Sequence, residues 1–366
     1  MTAHMNYVFC NIRDGQILAE IPLESVNITG QLGNSGNGEL RGSFHLDSTG
    51  FDNDTINVAT APGLRFCIAE RNGIPVWGGF VWSRTYQSQA KALQFYCKSI
   101  EAYPFYRYMP NFVSHATDQL TIFRNLWNLM QGEAGSDLGI VVPTSFPFTQ
   151  SILLDAAVQS TDYKTYGDMI DDLANGDLGF DWRIDWTRAG NVYTRTLKAA
   201  QPTLGSPFGA NTLVFDYPGN ILNYWETDSL SDAGNNIITL GAGQGESALT
   251  STVYRQDLID SGYIRLDVSV SSKNTTDQTI LDGLAQRQAA LHAAPINTIK
   301  VQMKADKDPE FGSYALGDTV TLSIEDAWHP EGFTKVTRFV AYTYTPAQAG
   351  AVEETELIFE GLQEED

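Results

Sequence analysis

Cysteine is scarce in this chain: Cys10, Cys67 and Cys97 are the only three in 366 residues. An odd count, with Cys67 and Cys97 inside strand-like runs, argues against a disulfide framework and for buried thiols made in a reducing cytoplasm. No apolar run approaches the roughly 20 residues that a membrane-spanning helix needs. The segment Met1 to Asn11 has neither the basic stretch nor the apolar core of a secretory signal, so none is expected. Basic residues are few as well, 23 against 44 acidic, leaving a net charge of −21. Phosphate binding needs clustered Lys and Arg, so wrapping of nucleic acid is excluded. The same charge suits either simple solubility or a surface past which DNA slides without sticking.

Catalytic constellations are equally sparse. The five histidines, His4, His45, His115, His292 and His329, share no ligand spacing, and no H-E-x-x-H or paired C-x-x-C occurs. His45 alternates with Phe44 and Leu46 and reads as a strand surface residue. In Gly33-Asn34-Ser35-Gly36-Asn37 the last position is Asn where a nucleophile elbow requires Gly, so this is a hairpin turn. Gly241-Ala242-Gly243-Gln244-Gly245 lacks the helix that a phosphate-cradling loop must open. Asp181 and Asp185 share a strand face about 13 Å apart, beyond the roughly 5 to 9.5 Å used by paired glycosidase carboxylates. Asp171 and Asp172 read as the solvated side of a helix. The aromatic residues Trp77, Trp82, Tyr86, Tyr103, Phe105, Tyr106 and Tyr108 fit a core or a subunit interface better than a carbohydrate platform. The expectation is no catalytic, cofactor or metal site.

What is present is a pattern that occurs twice. Gly63 to Glu70, a turn at Arg71 to Pro75, a long run from Val76 to Tyr86 and a last strand from Ala92 to Lys98 form the first copy. Leu316 to Ile324, a turn at Asp326 to Glu331, a long run from Phe333 to Tyr344 and Thr355 to Glu360 repeat the order. Apolar residues alternate in each: Leu64, Phe66 and Ile68, then Val320, Leu322 and Ile324. Period two marks half-buried antiparallel strands. A hairpin precedes the first copy (Val26 to Gly30, Glu39 to Leu46), and Ile221 to Glu226 with Asn235 to Leu240 is read as its equivalent. An internal duplication accounts for the shared order, and suggests a ring-building scaffold more than an enzyme with one cleft.

Between the copies the text changes. Leu120, Phe123, Leu126, Trp127 and Met130 fall at helical spacing after the cap candidates Thr117 and Asp118. Tyr166, Met169, Ile170 and Leu173 predict a second helix ending near Asn175-Gly176. A hairpin follows, with Phe180, Trp182, Ile184 and Trp186 alternating and a turn at Arg188 to Asn191. Gln201 to Asn211 reads as a linker. Within the second copy, Gly262 to Val270 predicts a strand and Thr276 to Ala293 a helix. The expected organisation is mainly β with α+β: two barrel-like β domains related by duplication, and two smaller α/β accessory domains. The first barrel covers 1–105, an α+β domain 106–205, the second barrel 206–258 and 298–366, and an inserted α/β domain 259–297.

This arrangement resembles the baseplate hub proteins of long-tailed bacteriophages, including the hub region of tail-associated lysins and related minor tail proteins. The resemblance is carried by Pro62-Gly63-Leu64-Arg65-Phe66 through Val76-Trp77-Gly78-Gly79-Phe80-Val81, and by Tyr314-Ala315-Leu316-Gly317-Asp318-Thr319-Val320. It spans nearly the whole chain through short, degenerate motifs. It implies a homotrimeric ring at the virion tail tip, made in the bacterial host cytoplasm, with two barrels per chain matching a sixfold tail tube. It also implies tail tube, distal tail and central fibre or tip proteins as partners, and genomic DNA crossing an acidic channel without specific binding. The chain closes on Glu364-Glu365-Asp366 just after its last strand, so a lytic or receptor-binding activity is expected on another protein. Two competing readings are a carbohydrate-active or glycan-binding cell-wall protein, and a distal tail protein forming a sixfold ring.

Overall fold

The computed structural model describes residues 3–33, 38–48, 50, 52–175, 179–205, 213–231, 233–272, 278–292, 296–348 and 352–361. The Asn34 to Asn37 turn, most of the 201–211 linker, Gly176, Thr276 and the last five residues lie outside these. The chain forms two compact units, Met1–Tyr224 with Lys300–Asp366, and Trp225–Ile299.

The first unit opens with strands β1 (Met5–Asn11), β2 (Ile17–Glu20), β3 (Glu24–Gln31) and β4 (Glu39–His45). Helix α1 (Asn53–Ala59) then leads to β5 (Arg65–Arg71), β6 (Ile74–Gln87) and β7 (Ala92–Ser99). Helix α1 has no apolar stripe long enough to be seen in the sequence; its signal is local, the Asp52 side chain accepting from the Thr55 amide at 2.8 Å. Alternation holds along β7, where Leu93, Phe95 and Cys97 are buried and Gln94 is exposed.

The central α+β segment contains β8 (Phe112–Asp118), α2 (Gln119–Gly132), β9 (Ile140–Val141), β10 (Leu153–Val158), α3 (Tyr166–Ala174), β11 (Asp181–Ala189) and β12 (Val192–Ala200). Asp118 caps α2 as its sequence position predicts, accepting from the amides of Leu120 at 3.0 Å and Thr121 at 3.2 Å. The apolar stripe of α2 meets the β11–β12 hairpin: Trp127 and Trp182 are fully buried with ring centroids 5.9 Å apart. Val8, Phe66 and Ile68 of β1 and β5 belong to the same hydrophobic cluster, so this segment is packed on the first β module.

The second β module contains β13 (Val214–Tyr217) and β14 (Ile221–Ser229), and later β18 (Ile296–Lys304), β19 (Thr319–Ile324), β20 (Phe333–Thr345) and β21 (Glu354–Gly361). Its core is aromatic: Phe215, Tyr314, Phe339 and Phe359 are buried, with Phe215 5.3 Å from Phe359. Between β14 and β18 runs the second unit, with β15 (Asn236–Leu240), β16 (Thr250–Tyr254), α4 (Gln256–Asp260), β17 (Asp267–Ser271) and α5 (Gln278–Leu291). Here β15 lies between antiparallel β16 and parallel β17, and α5 buries Leu281, Leu284 and Ala285.

Strand order within the first module is β3-β4-β7-β6-β5, and within the second β14-β18-β21-β20-β19. Both long strands switch partners midway. The first half of β6 pairs β5 and its second half pairs β7, with a register shift between Val81 and Ser83. Likewise β20 pairs β19 and then β21, with a shift between Phe339 and Ala341. At each bulge the carbonyl receives a glycine amide: Gly63 to Val81 at 2.9 Å, and Gly317 to Phe339 at 2.7 Å. Both glycines have positive φ, +71° and +97°, a conformation that other residues rarely hold.

Two expectations are corrected. No sheet among the described residues closes into a barrel. The strands of both modules join in one open 13-stranded sheet, because the second half of β20 pairs β3, from Ala341 opposite Gln31 to Tyr344 opposite Ile28. The fold is mainly β with several sheets, as expected. The hairpin read at 221–240 does not form either: β14 neighbours β18, and β15 belongs to the three-stranded sheet of the second unit. The partner of β14 comes from a segment some 70 residues later, which local turn chemistry cannot reveal.

Candidate functional site

The acidic residues singled out in the sequence are neutralised separately. Asp181 receives Arg338 Nη2 and the Leu204 amide, the latter at 2.8 Å, while Asp185 accepts from Arg183 Nε at 2.7 Å. Each carboxylate is half-buried against its own arginine, and they do not converge on a common substrate position. Asp172 is exposed on α3 and pairs with Lys164. His45 is exposed on β4, its Nδ1 3.0 Å from the Ala90 carbonyl oxygen. The Gly241–Gly245 segment closes on Leu249, with Leu249 donating to the Ala242 carbonyl at 2.8 Å, and leads into a single turn rather than a helix. Among the described residues no three His, Cys, Asp or Glu side chains group as metal ligands.

The aromatic residues divide between interior and surface. Trp77 is buried, Tyr103 packs on Phe80 at 5.7 Å, and the Phe105 ring fills the space a side chain at Gly167 would need. Trp82, Tyr86, Tyr106 and Tyr108 are exposed. Trp82 and Tyr106 rings lie 4.6 Å apart, with Lys98 Nζ 4.7 Å above the Trp82 ring. A cation over a tilted aromatic pair holds apolar area in place at a surface, as interfaces do.

A cavity of about 310 Å³ lies where the two β modules meet the β11 strand, lined by Trp77, Glu101, Arg183, Asp185, Tyr314 and Tyr342 among others. Burial pushes the Glu101 carboxyl above its ordinary value, despite the Ile184 amide donating to it at 2.9 Å. Trp77 Nε1 and the Tyr314 hydroxyl find no partner among the described residues. The lining carries two carboxylates, Glu101 and Asp185, the latter held by Arg183, and among the described residues no histidine, cysteine or lysine.

More informative is the junction itself, organised by two consecutive residues, one read from the sequence as the end of a strand and the other as the start of a turn. Glu70 and Arg71 end β5, and strand alternation sends their side chains to opposite faces. Glu70, fully buried, accepts from Arg188 Nη1 at 2.8 Å and from the Tyr193 hydroxyl at 2.6 Å, fastening the β11–β12 hairpin. Arg71, 4% exposed, reaches the second module. Its Nε donates to Glu353 Oε1 at 2.7 Å and Nη2 to Glu353 Oε2 at 3.2 Å. Nη1 donates to Glu310 Oε2 and to the Phe311 carbonyl, both at 3.1 Å, and Nη2 to the Ala305 carbonyl at 3.1 Å. The Tyr344 hydroxyl also donates to Glu353. A guanidinium is the side chain that can serve five acceptors in one plane. Tyr342 crosses over Gly30, donating to the Val76 carbonyl at 3.1 Å, and a Cβ on Gly30 would stand 2.4 Å from that ring.

No family model and no curated protein sequence matches this chain. Solved structures do. A tail protein from Neisseria meningitidis MC58 is similar over 97% of this chain and 96% of its own, at 12% identity and a TM-score of 0.64. The 43 kDa tail protein of prophage MuSo2 from Shewanella oneidensis is similar over 97% and 98%, at 10% identity and a TM-score of 0.61. Prophage tail protein gp18 from Listeria monocytogenes EGD-e covers 98% and 95%, at 10% identity and a TM-score of 0.53. The chain therefore has the fold of phage tail proteins along nearly its full length, and the resemblance drawn from its sequence is borne out at the level of fold.

Proposed function

We propose that this protein is a structural hub of a phage tail tip: a homotrimeric ring that joins the tail tube to the distal host-recognition apparatus and through which DNA passes. The observation that carries this reading is the matched strand order of its two β modules, down to the glycine amide on each bulge carbonyl, within a fold shared with solved tail proteins. That match supports duplication of an ancestral module. Three copies then present six similar modules, and a threefold body meets a sixfold tube without mismatch. A net charge of −21 per chain suits a lumen that repels the DNA backbone. The role is assembly rather than catalysis, at the virion tail tip, with tube, distal tail and central tip proteins as neighbours. Electron microscopy of the purified protein tests it: class averages should show a threefold ring with six lobes. A ring of six chains, or single chains at every concentration, refutes the proposal.

A further inference from the structure

The junction between the modules uses two strand edges, and each has an equivalent elsewhere in the chain that is left open. Inside the chain, residues Ala341–Tyr344 of β20 pair antiparallel with Ile28–Gln31 of β3, on the side that β19 has vacated. Leu32 extends this ladder, donating to the carbonyl of the bulge residue Val340 at 2.8 Å. By strand order and bulge position, β6 corresponds to β20 and β14 to β3. Yet β6 has only β5 and β7 as neighbours, and β5 stops pairing at Phe80. The segment from Ser83 to Tyr86, which corresponds to Ala341–Tyr344, has β7 on one side and, among the described residues, no strand on the other. Burial follows this difference. Tyr344 is buried in β20, whereas Tyr86, at the corresponding position of β6, is 53% exposed. At the other end of the sheet β14 has β18 as its one strand neighbour among the described residues, and Leu222 is 45% exposed.

We propose that the second half of β6 in one chain pairs with β14 of a second copy, repeating between chains the β20–β3 junction found within one. This rests on the duplicated-module reading above and names the contact that would close the ring. Two complementary edges on the same chain make a heterologous contact, which propagates until the rotation closes. Beyond the bulge at Val81–Ser83, the segment Ser83–Tyr86 carries no proline, and its one charge, Arg84, turns back onto Thr60 Oγ1 at 2.6 Å. Trp82, Tyr86 and the neighbouring Tyr106 supply the apolar area that an interface core needs.

Cross-linking tests the contact, because Cys10, Cys67 and Cys97 are all buried and leave a silent background. The full chain carrying Thr85→Cys and Leu222→Cys, treated with a short bismaleimide, should give covalent dimer and trimer on a denaturing gel. Neither single variant should go beyond dimer. Tyr86→Lys, at an exposed position, should keep the parent melting temperature and lose the oligomer peak in light scattering at concentrations where the parent is fully associated. An oligomer that survives Tyr86→Lys and yields no trimer from the double variant overturns the edge pairing while leaving the hub reading intact. A parent protein that stays monomeric at all concentrations overturns both.

Discussion

Replacing Arg71 by Met tests how much the buried ion pair with Glu353 contributes to the junction between the two β modules. Arg71 and Glu353 are 4% and 5% exposed. The substitution keeps most of the aliphatic volume but leaves the Glu353 carboxylate with the Tyr344 hydroxyl alone from this cluster. Removing one partner of a buried pair costs about 3–5 kcal/mol, because the remaining charge is neither solvated nor matched. Against a domain stability of about 5–15 kcal/mol, that is a large fraction. Glu310 is 55% exposed and regains water, so its loss adds little. The decisive comparison is Arg71→Met with Glu353→Leu. Removing both charges restores an apolar contact, and such replacements are close to neutral. The double variant should recover most of the stability lost by the single one. Urea unfolding followed by tryptophan fluorescence reads both. A single variant that loses less than about 1 kcal/mol, or a double variant as weak as the single, would refute the reasoning.

Glu101→Gln should stabilise the first unit in a pH-dependent way. Burial raises the folded-state pKa of Glu101 above its ordinary 4.5, so the wild type loses stability as pH rises from that value through the folded one. The gain from Gln should be absent below pH 4.5 and complete once the carboxylate is ionised, and melting temperatures at pH 4 and pH 8 check this. A gain equal at both would remove burial of charge as the cause. Gly30→Ala should cost about 1–3 kcal/mol, because its Cβ would enter the Tyr342 ring and displace it from its hydrogen bond to the Val76 carbonyl; Gly→Ala at the open Gly132 provides the control in the same unfolding assay. The three thiols should not react with a chromogenic disulfide in the native protein and should all titrate in urea. Cys10 is fully buried, and burial pushes its thiol up to about 12.

Features set by local periodicity were legible in the sequence. The stripe of α2, its Asp118 cap and the β11–β12 alternation follow from residues within one or two turns of each other. The matched runs at 63–98 and 316–360 were legible for the same reason, since the strands β5 to β7 and β19 to β21 are sequential neighbours in the sheet. Pairing across long separations was not. Nothing near Ile221 indicates that β14 lies beside β18, and nothing near Phe333 indicates that β20 reaches β3 and leaves the sheet open. The Glu70–Arg71 junction was missed because charged residues flanking Asn72-Gly73 look like an ordinary solvated turn. Only the packing of two further segments against β5 makes those charges interior.

The same junction makes the two β modules a rigid part. Two modules joined by a covalent linker alone would rock. Here the angle between them is set three times. The β20–β3 ladder fixes the backbone, the Arg71–Glu353 pair fixes side chains in a dry interior, and the β11–β12 hairpin braces both sides. Glu70 holds that hairpin to the first module through Arg188, and Asp181 holds it to the second through Arg338. Buried polar links are directional where apolar packing is not, so they cost stability when broken singly and define geometry when whole. A ring repeated between chains through the same kind of edge would inherit that geometry, whereas the accessory surface of α2 and α3 could vary without disturbing it.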